Sequence, residues 1–300
     1  MITSIVFSKD RALQLDLTLK TIRKNFELCD DLIVIYKTSE QQYEESYENL
    51  KLEHPNVLFL KQSHSLFVDV LATISGAESD YICFFTDDDI FYRKVSFTYD
   101  NINWLFDQAN ISCLSLRMGH NTTQRQINGK IGADAMPSEG LLVTSEDGGD
   151  PQFSVWNRMT IAPGGYWAYA LSVDGHIFKR ETMLKFCTEL EVLNRYNSYK
   201  GVPREKNCWN QTPNEFESKL QMFYFEIPAY MASPIHSCVV NSPNNRVQEH
   251  IENRAGDIFS YSASSLNDHY MRGKRLNINK INFESIVCPH QEIDIMKGLE

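Results

Sequence analysis

Over the first 117 residues, short apolar segments alternate with longer segments whose apolar residues recur at helical spacing. Short β-rich runs predict strands, and the spacing between them predicts helices. Strands joined by helical crossovers form mainly parallel sheets that carry helices on both faces. The pattern therefore predicts an α/β fold in which ligands bind at the carboxyl ends of the strands. The predicted strands are ITSIVF, DLIVIY, VLFL, YICFF and ISCLSLR.

The pattern changes in the second half of the chain. Between about residues 119 and 155, Gly, Asn, Thr, Gln, Ser and Asp predominate, and a loop this long in a compact domain is usually functional or mobile. We expect residues 119–153 to form a lid, with a surface excursion of fixed packing as the alternative. Later segments predict a strand pair and a helix (GGYWAYALSVDGHIFKRETMLKFCTEL), a capped helix (TPNEFESKLQMFYF) and a strand (HSCVV).

Composition and charge narrow the possible functions. The chain has 300 residues, 42% of them hydrophobic, and its formal net charge of −10 argues against a nucleic-acid partner. We find no apolar run of about 18 residues that would span a membrane, and no signal peptide at the start. Seven scattered cysteines without a CxxC pair favour reduced thiols. We therefore expect one soluble, cytoplasmic domain over residues 1–300.

Three adjacent aspartates follow the fourth predicted strand. Asp87, Asp88 and Asp89 come after YICFFT, at a point where like charges repel one another. In an extended segment Asp87 and Asp89 share one face, while Asp88 points elsewhere. Two carboxylates on one face supply half of a site for Mg²⁺ or Mn²⁺, with phosphate oxygens and water as the remaining ligands. The alternative is an acidic turn or helix cap.

These segments together resemble a known family. The segment FFTDDDIFY, after four strand–helix units, resembles the D-x-D segment of nucleotide-sugar glycosyltransferases of the GT-A fold. IVFSKDRALQLDLTLKTI is similar to their first strand and helix, IVIYKTS to their second strand, and SLRMGHN to the strand beyond the sugar site. The resemblance implies a Rossmann-like sheet with a nucleotide-sugar half (1–117), an acceptor and catalytic half (118–240) and a C-terminal elaboration (241–300).

The resemblance also implies roles for individual residues. Asp87 and Asp89 would hold Mn²⁺ or Mg²⁺ against the diphosphate of a UDP- or GDP-linked donor, where the cation assists the leaving group. His236 is a candidate third ligand, with a structural histidine as the alternative, and Arg246 is a candidate clamp over the diphosphate. The remaining candidates for the donor site are Phe7, Ser8, Asp10, Arg11, Thr38, Ser39 and Asp88.

A transferase that inverts the anomeric centre, which we expect here, needs a carboxylate that takes the proton of the acceptor hydroxyl. Glu215 and Glu217 are candidates because the family's base lies near the start of a helix in this part of the chain. Asn214 with Glu217 also fits a capping box, which is the alternative for Glu217. Asp174, in LSVDGHIF, is the third candidate.

Aromatic residues are dense on either side of the segment APGG. Sugar rings stack on aromatic faces, so Trp156 and Trp167 are candidates for a glycan-acceptor site, with core packing as the alternative. His176 is a further candidate there. A sugar-phosphate nucleotidyltransferase shares this kind of sheet, but FSKDRALQL lacks the Gly-rich loop that usually holds a triphosphate. A non-catalytic carbohydrate-binding protein on the same fold stays open as well.

Overall fold

A computed structural model describes residues 1–63, 65–127, 130–134, 136–137, 141–144, 152–162, 164–201, 212–247 and 255–300. The strands are β1 (Ile2–Lys9), β2 (Cys29–Lys37), β3 (Leu58–Lys61), β4 (Tyr81–Thr86), β5 (Asp89–Phe91), β6 (Ile111–Ser115), β7 (Gln124–Ile127), β8 (Lys130–Ala133), β9 (Leu141–Thr144), β10 (Gln152–Asn157), β11 (His176–Lys179), β12 (Tyr230–Pro234) and β13 (Val239–Asn241). The α-helices are α1 (Ala12–Asn25), α2 (Gln41–Glu53), α3 (Leu66–Gly76), α4 (Tyr99–Asp107), α5 (Arg180–Tyr199), α6 (Pro213–Leu220) and α7 (Ala263–Met271).

The central sheet has nine strands in the order β3-β2-β1-β4-β11-β6-β12-β10-β9. β1 is parallel to β2 and β4, β2 to β3, and β6 to β12, while β11 and β10 run against their neighbours. The predicted α/β class and mainly parallel sheet are confirmed. The five strands predicted in the first 117 residues correspond to β1, β2, β3, β4 and β6.

Helices cover both faces of the sheet because side chains alternate along its buried strands. In β4, Tyr81, Cys83 and Phe85 enter one core layer, with residues of α1 and α4. Ile82 and Phe84 enter the opposite layer, with residues of α3 and α5. A strand buried on both faces reads as a continuous apolar run, which is why YICFF was recognisable in the sequence.

The antiparallel insertion of β11 between β4 and β6 decides what meets at one edge of the sheet. His176, the first residue of β11, pairs with Phe84 near the end of β4 and with Ser115 at the end of β6. The start of β11 therefore lies beside the carboxyl ends of its two neighbours. Residues just before β11 consequently face those just after β4, although they are distant in sequence.

Two predictions for the second half need correction. The segment GGYWAYAL forms a short 3-10 helix at Tyr166–Ala168, so only β11 remains of the predicted strand pair, since its residues pack as a turn against the core. The stretch 119–153 contains β7, β8 and β9, and its other parts include residues outside the described ranges.

The C-terminal tail returns to the same sheet edge. β13 pairs with β5 in a small antiparallel sheet, and Asn241 of β13 forms an isolated bridge with His290. These pairings bring the tail beside the aspartate triplet. Within the described ranges, no helix combines the length and apolarity that a membrane crossing requires.

Candidate functional site

A cavity of about 530 Å³ opens at the carboxyl ends of β1, β2 and β4. Its walls also come from the segment before β11, the start of α6 and the C-terminal tail. This is the edge where ligands bind in open α/β sheets. The residues predicted for the site that line the cavity are Phe7, Ser8, Arg11, Asp87, Asp88, Asp174, Glu217 and Arg246.

Asp87 and Asp88 form a turn between β4 and β5, and Asp89 is the first residue of β5. Side chains alternate only along extended backbone, so the expected sharing of one face by Asp87 and Asp89 does not occur. Asp87 and Asp88 line the cavity instead. Asp89 is fully buried behind them and does not line it. The prediction was therefore wrong for two residues, because Asp88 and not Asp89 lies beside Asp87 at the cavity.

Arg11, just before α1, joins the first two aspartates. Its Nη1 atom lies 2.8 Å from Asp87 Oδ1 and 2.9 Å from Asp88 Oδ2. The second oxygen of Asp87 accepts hydrogen bonds from Ser8 Oγ at 2.8 Å and Lys9 N at 3.1 Å. Burial raises the pKa of Asp87 to about 6; the charge of Arg11 opposes this rise and that of Asp88 adds to it. Two carboxylate oxygens thus converge on one cationic atom.

Asp89 fixes the turn from inside. Its Oδ2 accepts a hydrogen bond from Thr86 N at 2.8 Å, and its Oδ1 accepts one from Asn241 Nδ2 at 3.2 Å. The same amide donates to Asp88 Oδ1 at 2.8 Å. Burial, with the charges of Asp174 and Asp88, raises the pKa of Asp89 well above its usual value. Asp89 therefore positions the two aspartates that line the cavity.

The point where Arg11 Nη1 lies is suited to a divalent cation. Carboxylate oxygens from Asp87 and Asp88 converge there, and hard oxygen ligands are those that Mg²⁺ and Mn²⁺ prefer. Among the described residues, no group of three His, Cys, Asp or Glu side chains forms a metal site. The protein would supply two ligands, so phosphate and water would complete the shell.

Asp174 lies beside these aspartates, since Thr86 Oγ1 is 3.3 Å from Asp174 Oδ1 and 2.7 Å from Asp88 Oδ1, and it belongs to a buried polar cluster. Arg117 Nη1, two residues beyond β6, lies 3.0 Å from Asp174 Oδ2, and His290 Nε2 lies 3.1 Å from the same oxygen. Tyr166 stacks on His290 with ring centroids 5.4 Å apart. Burial opposes ionisation, but His290 and Arg117 hold the pKa of Asp174 well below its usual range. The carboxylate is a stable anion.

Glu217 lies on α6 and lines the same cavity. The capping box predicted for it is wrong, because Thr212 is the N-cap and Glu215 occupies the third helical position. Glu215 is thereby engaged in the cap and does not line the cavity, whereas Glu217 Oε1 accepts a hydrogen bond from Val173 N at 3.0 Å. Burial and the charge of Asp174 raise the pKa of Glu217.

The β1 and β2 loops differ from expectation. Asp10 has a positive φ of 56° and its Oδ1 accepts a hydrogen bond from Ser39 N at 2.7 Å. Thr38 Oγ1 donates to Glu44 at 2.6 Å. The first contact ties the two loops to each other and the second ties Thr38 to α2, and Asp10, Thr38 and Ser39 do not line the cavity. The residues that do so at this end are Ile35, Lys37, Gln62 and Leu66.

Several other candidates lie away from the cavity. Trp156 and Trp167 are 1% and 0% exposed and pack against each other at 4.8 Å in the core, as the core-packing alternative predicts. His176 is fully buried, and burial lowers its pKa to about 3. His236 is exposed and does not line the cavity. From the aromatic segment around residues 156–169, Tyr166 and Tyr169 do line it.

The polar residues of the cavity that sequence reasoning missed include Arg117, Lys37, Asn241 and His290. Lys37 is the last residue of β2, and Arg117 comes two residues after β6. Because ligands bind at the carboxyl ends of parallel strands, these positions alone could have predicted that both residues belong to the site. Asn241 and His290 reach the site through the bridge between β13 and the tail. Local periodicity carries no signal for such a pairing.

No protein-family model matches the chain, and no curated protein matches it. Among solved structures, S. aureus TarS 1–349 has a TM-score of 0.42 and 11% identity over 80% of this chain and 59% of that one. The 4-diphosphocytidyl-2C-methyl-D-erythritol synthase of Anaerococcus prevotii has a TM-score of 0.40 and 9% identity over 79% of this chain and 88% of that one. Mannosyltransferase PcManGT of Pyrobaculum calidifontis, in complex with GDP-Man and Mn²⁺, has a TM-score of 0.29 and 15% identity over 40% of this chain and 36% of that one. These are likenesses of fold.

Proposed function

We propose that this protein is a glycosyltransferase that moves a sugar from a UDP- or GDP-linked donor to a hydroxyl group of a glycan acceptor. The observation that carries the proposal is one cavity lined by four carboxylates, Asp87, Asp88, Asp174 and Glu217. Asp87 and Asp88 are paired with Arg11, whereas Glu217 lies on α6. A diphosphate at Asp87 and Asp88 with a sugar acceptor near Glu217 would bring the donor and the base together in this cavity.

Asp87 and Asp88 are the residues that would hold Mn²⁺ or Mg²⁺. When bound, the cation would neutralise the charge that develops on the departing nucleoside diphosphate. Arg11 would then turn from the aspartates toward phosphate oxygens, which its planar guanidinium suits. Arg246 is exposed and lines the cavity, so it is available to the same phosphates.

Glu217 is our choice for the catalytic base. A general base works best when its pKa lies near the working pH, and burial raises the pKa of Glu217 toward that range. Asp174 is a weaker proton acceptor because Arg117 and His290 stabilise its anion. Attack by the deprotonated hydroxyl from the side opposite the diphosphate inverts the anomeric centre.

The experiment is a donor screen with Mn²⁺, because slow hydrolysis of a nucleotide sugar needs no acceptor. We expect release of UDP or GDP from one nucleotide sugar, and a large loss of this activity in Asp88→Asn. Asp107→Asn is the control, since Asp107 is exposed and paired with Lys179. Pyrophosphate release from a nucleoside triphosphate and a sugar phosphate would instead identify a nucleotidyltransferase. Sugar binding without turnover would identify a non-catalytic binding protein.

A further inference from the structure

Three strands bring a second set of side chains to the far end of the cavity. Phe7 and Ile35 are partners in the β1–β2 register, as are Lys9 and Lys37 two positions further on. Gln62 follows β3, and its backbone N–H donates to Tyr36 O at 2.7 Å. Lys37 and Gln62 therefore lie next to each other at the carboxyl ends of β2 and β3. Both line the cavity.

This end of the cavity has an apolar floor. Phe7, Ile35 and Leu66 all line it, and each is only 2% exposed. Phe7 is held in place by stacking on Phe84, with ring centroids 5.9 Å apart. A rigid apolar floor under polar side chains is what a flat heterocycle needs. Ser8, which donates a hydrogen bond to Asp87, continues the lining of the cavity from this floor to the aspartate turn.

The polar side chains above this floor differ in whether they have hydrogen-bond partners within the protein. Lys9 Nζ donates to Val247 O at 2.6 Å, and Ser8 Oγ donates to Asp87. For Lys37 and Gln62, no side-chain hydrogen bond is found to any residue of the described ranges. An ammonium group only donates, whereas an amide both donates and accepts. Lys37 is exposed and Gln62 is half-buried, so together they offer a ligand an ammonium donor beside an amide that donates and accepts.

Resting on the proposed function, we propose that Lys37 and Gln62 select donors whose base carries a carbonyl oxygen beside a ring N–H, uracil or guanine, against cytosine and adenine. Uracil and guanine both place a carbonyl oxygen next to a ring N–H. The oxygen accepts from Lys37, and the N–H donates to the Gln62 carbonyl. Cytosine and adenine place an amino group where that oxygen would be, so the ammonium of Lys37 would meet another donor.

The test is calorimetric binding of UDP, GDP, CDP and ADP, each with Mn²⁺, to the full chain and its variants. We expect the wild type to bind UDP or GDP at least about tenfold more tightly than CDP and ADP, as a hydrogen bond to a charged donor allows. Lys37→Met is expected to remove most of that preference by weakening the binding of UDP and GDP only. Gln62→Leu is expected to reduce it as well.

Lys61→Met is the matched control. It removes a lysine next to Gln62, but Lys61 is exposed, is paired with Glu44 and does not line the cavity. The base preference should survive this change. Equal weakening of all four nucleotides by Lys37→Met would overturn the inference, because Lys37 would then serve the phosphates. Equal wild-type affinity for CDP and UDP would also overturn it and leave nucleotide binding intact, whereas binding of none would remove the proposed function itself.

Discussion

Nη1 of Arg117 lies 3.0 Å from Oδ2 of Asp174, with only 2% and 11% of the two side chains exposed. Arg117 follows β6 and Asp174 precedes β11, two neighbouring antiparallel strands. The pair keeps one carboxylate ionised in a buried place, and that charge helps to raise the pKa of Glu217. Two carboxylates whose environments push their pKa values apart are suited to different tasks. We assign proton transfer to Glu217 and electrostatic positioning to Asp174.

The first prediction concerns Glu217. Glu217→Gln should lower kcat by about 100-fold or more, the usual contribution of a general base, and leave nucleotide affinity nearly unchanged. The rate of the wild type should rise with pH through the raised pKa of Glu217, because only the carboxylate accepts a proton. Steady-state kinetics from pH 5 to 8 and calorimetry would measure both effects.

Glu215→Gln is the control for that experiment, two residues away on the same helix. Glu215 completes the capping box with Thr212 and does not line the cavity. We expect a stability loss of at most about 1 kcal/mol, typical of a weakened cap, with kcat retained. A loss of kcat in Glu215→Gln but not in Glu217→Gln would contradict our assignment.

The second prediction is a pH-dependent cost of removing Arg117. The lowered pKa of Asp174 stabilises the fold above the carboxyl's unfolded pKa, and this contribution is lost as pH falls through the folded value. Arg117→Met leaves a buried carboxylate with less compensation, which should cost about 3 kcal/mol or more near pH 7. The cost should shrink toward pH 4, as Asp174 can then bind a proton.

Urea unfolding at the two pH values would measure this change. Lys179→Met is the comparison, since Lys179 forms a surface ion pair with Asp107 and exposed pairs contribute about 0–1 kcal/mol. An identical loss at both pH values for Arg117→Met would mean that its packing, and not its charge, stabilises the protein.

The fold was largely predictable because buried strands and amphipathic helices leave a periodic signature. YICFF and ITSIVF became β4 and β1 within a residue or two. The orientation of the aspartates was not predictable from alternation, because hydrogen bonds from Thr86 and Asn241 hold Asp88 and Asp89 at the turn. Asn241 comes from the far end of the chain, and no local pattern shows which strand it will pair with.

The residues of the cavity also divide into those that a local sequence pattern predicted and those that it did not. Arg11, Asp87 and Glu217 are near helix or strand ends, where sequence reasoning looks for function. The capping box was displaced because Thr212 competes with Asn214 for the N-cap, and Pro213 then takes the first helical position that suits it. Because the helix starts two residues earlier than the alternative assumed, Glu215 completes the capping box and Glu217 lies at the cavity.

The third prediction tests the backbone beside Asp174. Gly175 has a φ of 66°, and its N–H donates to Phe84 O at 2.7 Å. Gly175→Ala should cost about 1–2 kcal/mol, the usual penalty for a side chain in this conformation, and should lower kcat by displacing Asp174. Gly273→Ala is the control, with a φ of 80° and open space around the added carbon.

Thermal unfolding and kinetics would separate the two glycines. Both variants should lose similar stability, but only Gly175→Ala should lose activity. Equal activity in both would show that the position of Asp174 tolerates this shift, and would weaken its assignment as a positioning residue.

The last prediction divides the stretch that the sequence suggested as a lid. β9 and β10 belong to the central sheet, and β10 pairs with β12 over five residues, Phe153 to Asn157. β7 and β8 form a separate two-stranded sheet, which is joined to the C-terminal tail by Gln124 N donating to Val287 O at 3.0 Å. Isolated two-stranded hairpins are marginally stable. Amides in β10 should therefore be protected from hydrogen exchange in the free protein, while those in β7 and β8 gain protection only with Mn²⁺ and the correct nucleotide sugar.

Hydrogen exchange followed by mass spectrometry, with β4 as the fully protected reference, would measure this difference. Full protection of β7 and β8 without ligand would make the hairpin a fixed part of the fold, and exchange in β10 that slows only with ligand would extend the lid into the sheet.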